Sequence, residues 1–259
     1  MKGSGQMSIG AINSHSTHNL YAQLSSGRKV NRAADNAAAF AIIQKVLKEE
    51  NGLNVGTQNA WQGTGVINVA DGAMSGISDS LQRMNELGIY AQNGLLSDSD
   101  REMVQMEVDQ LKDDIQFMSQ NTSLNEKKLL DGSMADMQLA TNPMGGGMSI
   151  QMADTTLESL GIADFDVTKD FDLDAISGAL EKVPHARSKM GASANGLEHV
   201  RNYNDLAAYN LTASRSRMED TDMAEAASKL KTNQLLEHFE IMMQKQNQNQ
   251  KMKIMGIMM

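Results

Sequence analysis

The sequence predicts a mainly α protein, a long antiparallel helical rod carrying one small β-hairpin. Three observations carry that prediction. Starting at Leu53, apolar and small residues recur at Gly56, Ala60, Gly63, Ile67, Ala70, Met74, Ile77, Leu81, Met84, Gly88, Ala91 and Leu95, in steps that alternate three and four. The chain has only 2 Pro and 4% aromatic residues in 259, so helices meet few breakers and the bulky side chains that fill a compact globule are scarce. Turn chemistry is concentrated in the middle, around Pro143 and Gly145 to Gly147, with helical patterns on both sides. Such a layout suits a rod whose termini lie together at one end.

The repeat from Leu53 has a period of 3.5 residues over about six heptads, the mark of a helix burying one narrow seam against other helices. A glycine in a helix interior costs roughly 1 kcal/mol relative to Ala. Gly56, Gly63 and Gly88 are therefore predicted to mark places where backbones approach closely. In "LLSDSDRE" one helix ends and another begins, with Ser99 and Glu102 spaced as a capping box. Val104, Val108, Leu111, Ile115 and Met118 predict an amphipathic helix from about Asp100 to Gln120.

After a turn through "LNEKKLLDG", Met137 to Thr141 and Met148 to Ala153 read as the two strands of a hairpin. The helical pattern resumes near Asp172 with Leu173, Ile176, Leu180, Val183, Met190, Ala194 and Leu197, continuing to Leu211 and Met218. Pro184 lies inside it and predicts a kink or a helix start near His185, since an interior proline costs about 3 kcal/mol. A last helix opens at Asp222 with Glu225 and is polar through its Gln/Asn run. It ends in an apolar tip of Met252, Ile254, Met255, Ile257, Met258 and Met259, an association site or a disordered tail.

Composition narrows the function classes. Lys plus Arg number 23 against 32 Asp plus Glu, a net charge of −9, which disfavours phosphate backbones and hence nucleic acid. The absence of Cys removes disulfides, thiolate catalysis and Cys-ligated zinc. The N-terminal "MKGSGQMSIGAINSH" has no apolar h-region, and no run approaches the roughly 18 apolar residues of a membrane span. Neither a cleavable signal peptide nor membrane insertion is expected.

His15 and His18 sit one turn apart without a supporting third ligand, and His185, His199 and His238 are scattered, so no metal site is expected. The Gly145 to Gly147 triplet lacks the Lys-Ser/Thr of a phosphate loop. Asp113 and Asp114 fall on a polar helix face rather than in a cleft. No catalytic constellation and no cofactor site emerge, and the expectation is a protein that is not an enzyme.

Four co-linear blocks carry a family resemblance: "LSSGRKVNRAADNAAAFAI" from Leu24, "LQRMNELGIYAQNG" from Leu81, "NEKKLLDG" from Asn125 and "LEHVRNYNDLAAYNLTASRSRMEDTDMAE" from Leu197. Together they span nearly the whole chain and are similar to bacterial flagellin, in a minimal form without outer variable domains. The resemblance implies a structural subunit that self-assembles into the flagellar filament used for swimming. Residues 1–31 plus 219–259 would form a coiled-coil inner-tube domain with its connector. Residues 32–218 would form the outer helical rod, with the hairpin near 137–153.

Implied partners are other flagellin subunits in a helical homopolymer, the flagellar export apparatus with a secretion chaperone, and the cap and hook-junction proteins. The implied location is the extracellular flagellum, reached by type III export of unfolded chains. Three features depart from the family pattern: a shorter segment ahead of "LSSG", Pro184 within a helix, and the Met-rich ending.

Two groups of residues follow from this resemblance. In the connector, Gly27 allows a bend, and Arg28, Lys29 and Arg32 face the acidic Glu219, Asp220, Asp222 and Glu225; a solvated basic loop is the plain alternative. In flagellins that stimulate toll-like receptor 5 the contact positions match Arg83, Leu87 and Glu107, while Asn85 stands where a second Arg is common. The assembly seam is expected at Leu81, Met84, Leu235, Phe239, Ile254 and Ile257. Two other readings stay open: a hook-filament junction protein, and a secreted adhesin or effector that kept the scaffold without polymerising. Electron microscopy of seeded protein separates these.

Overall fold

The computed structural model describes residues 17–257, with side chains through Lys253. Six helices and four short strands follow in order: α1 (17–26), α2 (Ala37–Ala91), α3 (Asp98–Asn121), β1 (Ser123–Leu124), β2 (Lys127–Lys128), β3 (Asp136–Ala140), β4 (Gly147–Gln151), α4 (Leu157–Leu160), α5 (Asp174–Glu219) and α6 (Met223–Ile257). The chain divides into two compact units. One takes both chain ends, up to Lys48 and from Tyr209; the other is Glu49–Ala208. Helices α2 and α5 contribute residues to both.

In the Glu49–Ala208 unit, α2 and α5 are antiparallel. Thr57 donates to Asp205, and Asp71 accepts from Arg187, so residue numbers rise along one helix as they fall along the other. Every position of the 3.5-residue series from Leu53 to Ala91 is buried. The last of the series, Leu95, is 91% exposed, because α2 stops at Ala91 and Leu95 belongs to the following turn. Ala60, Ile67, Ala70, Met74, Ile77, Leu81 and Met84 share one core with Val104, Val108 and Ile115 of α3 and Ile176, Val183, Met190 and Leu197 of α5.

The N-cap of α3 lies two residues before the expected one. Ser97, not Ser99, is its N-cap: Ser97 Oγ accepts from the Asp100 N–H at 3.3 Å while Asp100 Oδ2 accepts from the Ser97 N–H at 3.0 Å. The Ser97 hydroxyl, which donates to Asp100 Oδ2 at 2.7 Å, and then the Ser97 N–H hold the Asp100 carboxyl below the usual carboxylate range. Both Ser-x-x-acid triplets satisfy the spacing rule. The earlier one closes the box with the shorter acid.

Pro184 does not start a helix; α5 begins at Asp174 and passes through it. Its ring lies on the exposed face, where the carbonyl deprived of an intrahelical donor can be hydrated.

Two of the three α2 seam glycines meet the hairpin, Gly56 at the Thr141 backbone and Gly63 at the Leu139 side chain, as does the neighbouring Gly52, whereas Gly88 faces the side chains of Leu173 and Phe165. A Cβ on Gly56 would lie 2.3 Å from the Thr141 carbonyl oxygen, and one on Gly52 would lie 2.7 Å from Pro143 Cβ. The hairpin pairs Asp136 with Gln151 through Ala140 with Gly147. At its tip Asn142 Oδ1 accepts from the Met144 and Gly146 N–H groups at 3.0 and 2.9 Å, and Gly145 adopts φ +83°. Two amides clamp it down: Asn59 donates to the Ala140 carbonyl at 2.7 Å and Asn204 to that of Thr141 at 2.8 Å. A second, two-residue ribbon joins β1 to β2 where the sequence reading had only a turn. The segment between α4 and α5 is held to α3 by Lys112, which donates to the Ala163 and Phe165 carbonyls, and by Gln105, which accepts from the Val167 N–H.

In the other unit, α1 and α6 are joined by a hydrogen bond from Gln234 Nε2 to Tyr21 Oη at 2.7 Å. Asp222 caps α6, accepting from the Ala224 and Glu225 N–H groups at 3.0 and 3.1 Å.

Candidate assembly and recognition surfaces

The connector is built where α1 ends and α5 ends. Gly27 adopts φ +71°, a conformation that costs a side-chain-bearing residue but not glycine, and this turns the chain out of α1. The two chain segments then pair through their backbones. The Gly27 carbonyl accepts from the Thr221 N–H at 2.9 Å, the Lys29 N–H donates to the Glu219 carbonyl at 2.7 Å, and Arg28 and Asp220 form an antiparallel bridge.

Side chains reinforce one point of that pairing. Glu219, which is buried, receives Arg28 Nη1 on Oε1 and Arg215 Nη1 on Oε2, each at 2.9 Å. Two guanidinium groups thus neutralise one carboxylate taken out of water, the condition under which a buried charge is tolerated. Arg215 was missed by the sequence reading, although its i, i+4 spacing to Glu219 was a usable signal.

The other charges expected in the connector take different partners. Lys29 donates its ammonium to the Arg217 carbonyl at 2.6 Å. Arg32 presents its backbone N–H to Asp35, Asp220 accepts from the Ser216 hydroxyl, Asp222 caps α6, and Glu225 pairs with Lys229. Backbone pairing, rather than a general meeting of cations with anions, holds this region.

Arg83 and Glu107 are brought together from α2 and α3. Arg83 Nε and Nη2 both lie 2.8 Å from Glu107 Oε1, and Arg83 Nη1 lies 3.2 Å from Glu86. These partners raise the Arg83 pKa, the Glu107 hydrogen bond first, and the pair stays on the surface. Leu87 does not join them there: it is 6% exposed and packs in the core.

The expected assembly seam splits in two. Leu81 and Met84 are fully buried among residues of their own unit, so this part of the seam is internal to the subunit. The physical reason is that α3 and α5 already cover that stripe. Leu235 and Phe239, in contrast, face solvent on α6 together with Leu236, Met242 and Met243, at 49–61% exposure. Ile254 and Ile257 lie on α6 beyond the described side chains, and His15 and the final Met258 and Met259 lie outside the described residues. His18 lines a shallow groove with Glu237 and His238, and no group of three or more His, Cys, Asp or Glu is placed to hold a metal among the described residues. No helix among the described residues is long and apolar enough to cross a membrane.

The family model for the bacterial flagellin N-terminal helical region matches residues 4–135, and that for the C-terminal helical region matches residues 173–255. The flagellin of Bacillus subtilis (strain 168) is 33% identical over 267 residues, covering 88% of this chain and 88% of that protein. The flagellin of Halalkalibacterium halodurans is 32% identical, covering 92% and 90%. A flagellar filament 31.3 kDa core protein of Treponema maltophilum is 29% identical, covering 83% and 82%. With both family regions matched in order and relatives of similar length aligned nearly end to end, the chain belongs to the bacterial flagellin family.

Proposed function

We propose that this flagellin, a structural subunit of the flagellar filament, polymerises through its terminal unit. The observation that carries this is the α6 face of Leu235, Leu236, Phe239, Met242 and Met243, exposed on a well-formed helix. Contiguous apolar surface of that kind is an association site. Burial at about 25 cal/mol per Å² of apolar area supplies the driving force.

In this reading residues 1–31 and 219–259 form the inner tube and 32–218 the outer rod, with the Gly27 to Arg32 and Glu219 to Asp222 segments as the joint between them. Subunits travel unfolded through the flagellar export apparatus with a secretion chaperone, add below the cap, follow the hook-junction proteins, and reside outside the cell. We assign the chain no catalytic role. The test is seeded polymerisation of the full chain, read by sedimentation and electron microscopy. Leu235→Ser with Phe239→Ser should leave helicity intact and the protein in the supernatant; filaments from that variant overturn the reading.

A second recognition role rests on the exposed Arg83–Glu107 pair. We propose that it contacts toll-like receptor 5, with Leu87 acting from the core by positioning the α2 face. A receptor reporter assay should fall with Arg83→Ala and with Glu107→Ala. Indifference to both removes the role.

A further inference from the structure

We propose that Met242 and Met243 are a site of oxidative modification: peroxides and hypohalous acids convert their thioethers to sulfoxides, and the modified subunit no longer adds to a filament. The inference rests on the assembly reading above and names how that surface is regulated. The chain has 21 Met and no Cys, so thioethers are its only oxidisable sulfur. Their exposure divides sharply. Met74, Met84 and Met190 are at most 1% exposed in the core, whereas Met242 and Met243 are 59% and 58% exposed. An oxidant has to reach sulfur, so the second class reacts first.

Position decides the consequence. Leu235, Phe239 and Met242 follow at steps of four and three, and Leu236, Phe239 and Met243 at three and four, so both sulfurs lie on the apolar face that leads into the polar Gln/Asn run. As thioethers they are apolar and adaptable, suited to burial against another subunit. With peroxide, a sulfur lone pair attacks one peroxide oxygen and the O–O bond breaks. That oxygen stays on sulfur, the other leaves as water, sulfur loses two electrons and the peroxide gains them. The product is a polar, chiral sulfoxide, a strong acceptor that an apolar contact cannot satisfy. A methionine sulfoxide reductase, passing two electrons and two protons from a thiol, releases the oxygen as water and restores the thioether.

The experiment treats full-length monomer with limiting hydrogen peroxide, maps sulfoxides by peptide mass, and measures seeded assembly by sedimentation. Met242 and Met243 should oxidise ahead of Met74, Met84 and Met190. The concentration needed for assembly should rise about tenfold or more with helicity unchanged. Met242→Leu with Met243→Leu, measured against its own untreated sample, should lose no further assembly after the same dose, which separates this pair from the exposed Met103, Met106, Met144, Met223 and Met252. Met242→Gln with Met243→Gln should mimic the sulfoxide and fail without oxidant. Equal oxidation of buried and exposed methionines overturns the proposal, as does normal assembly of protein carrying both sulfoxides, or equal inhibition of the Leu variant. Failure of untreated wild-type protein to sediment is a separate result, seen without oxidant, that removes the assembly reading and this consequence together.

Discussion

Leu81 and Met84 on α2, three residues apart, and Leu235 and Phe239 on α6, four apart, are both apolar pairs on one face of a helix, yet the first pair is sealed in its unit and the second faces solvent. Between Glu49 and Ala208 the chain provides α3, the antiparallel stretch of α5 and the hairpin to cover the α2 stripe. Within the terminal unit, α1 meets α6 at the Tyr21–Gln234 hydrogen bond, and the stripe from Leu235 to Met243 stays uncovered. Periodicity shows that a helix has a face to bury. Whether its own chain or another buries it depends on what else is within reach.

That contrast can be broken by substitution. Ile77→Ala removes a fully buried side chain and should cost about 3 to 4 kcal/mol of unfolding free energy, read by denaturant titration. Phe239→Ala should leave the monomer curve nearly unmoved while impairing assembly. If the two variants lose equal monomer stability, α6 is covered within the subunit and the contrast fails.

Gly56→Val places a branched side chain against the Thr141 carbonyl and should cost about 2 to 3 kcal/mol. Gly72→Ala, where an added Cβ meets nothing within 4 Å, should be neutral or stabilising by about 0.5 to 1 kcal/mol. A comparable loss at both glycines would remove hairpin docking as the reason for Gly56.

Asp166 sharpens the comparison through pH. Lys169 first, and then the Thr168 hydroxyl and N–H, hold its carboxyl down to about 2 from an ordinary 3.8. Because the folded value is the lower one, protonation favours the unfolded chain. The stabilisation is full above about pH 4 and is lost as pH falls towards 2, amounting to about 2 kcal/mol at most. Asp166→Asn should flatten the acid limb of the stability curve of this unit in that window. An unchanged limb would show that the carboxyl is not held by these partners. The smallest effect belongs to Arg83→Ala, which should leave thermal unfolding unchanged because the pair is exposed; a clear fall in Tm would make the pair structural.

The helix order and the α2 seam were legible because a 3.5-residue repeat is a local property that survives in the one-dimensional string. The α3 cap was legible only to within two residues, since Ser97–Asp100 and Ser99–Glu102 share a spacing and only the geometry picks one. Of the two outcomes that Pro184 offered, a kink or a helix start near His185, the start does not occur because α5 begins at Asp174 and runs through the proline. In the connector the sequence reading paired charges, but the backbone pairing of Gly27 and Lys29 with Thr221 and Glu219, and the second guanidinium from Arg215, were invisible to it.

Composition and period alone therefore dictated long helices around a short turn-rich insert, and four linear blocks dictated the family, because both are encoded in neighbouring residues. The tertiary structure alone decided that Gly56 receives a hairpin, that Leu87 is buried while Arg83 and Glu107 are on the surface, and that the α2 stripe is closed while the α6 stripe is open. These depend on residues far apart in sequence reaching the same place, and solvent exposure is fixed only once they do.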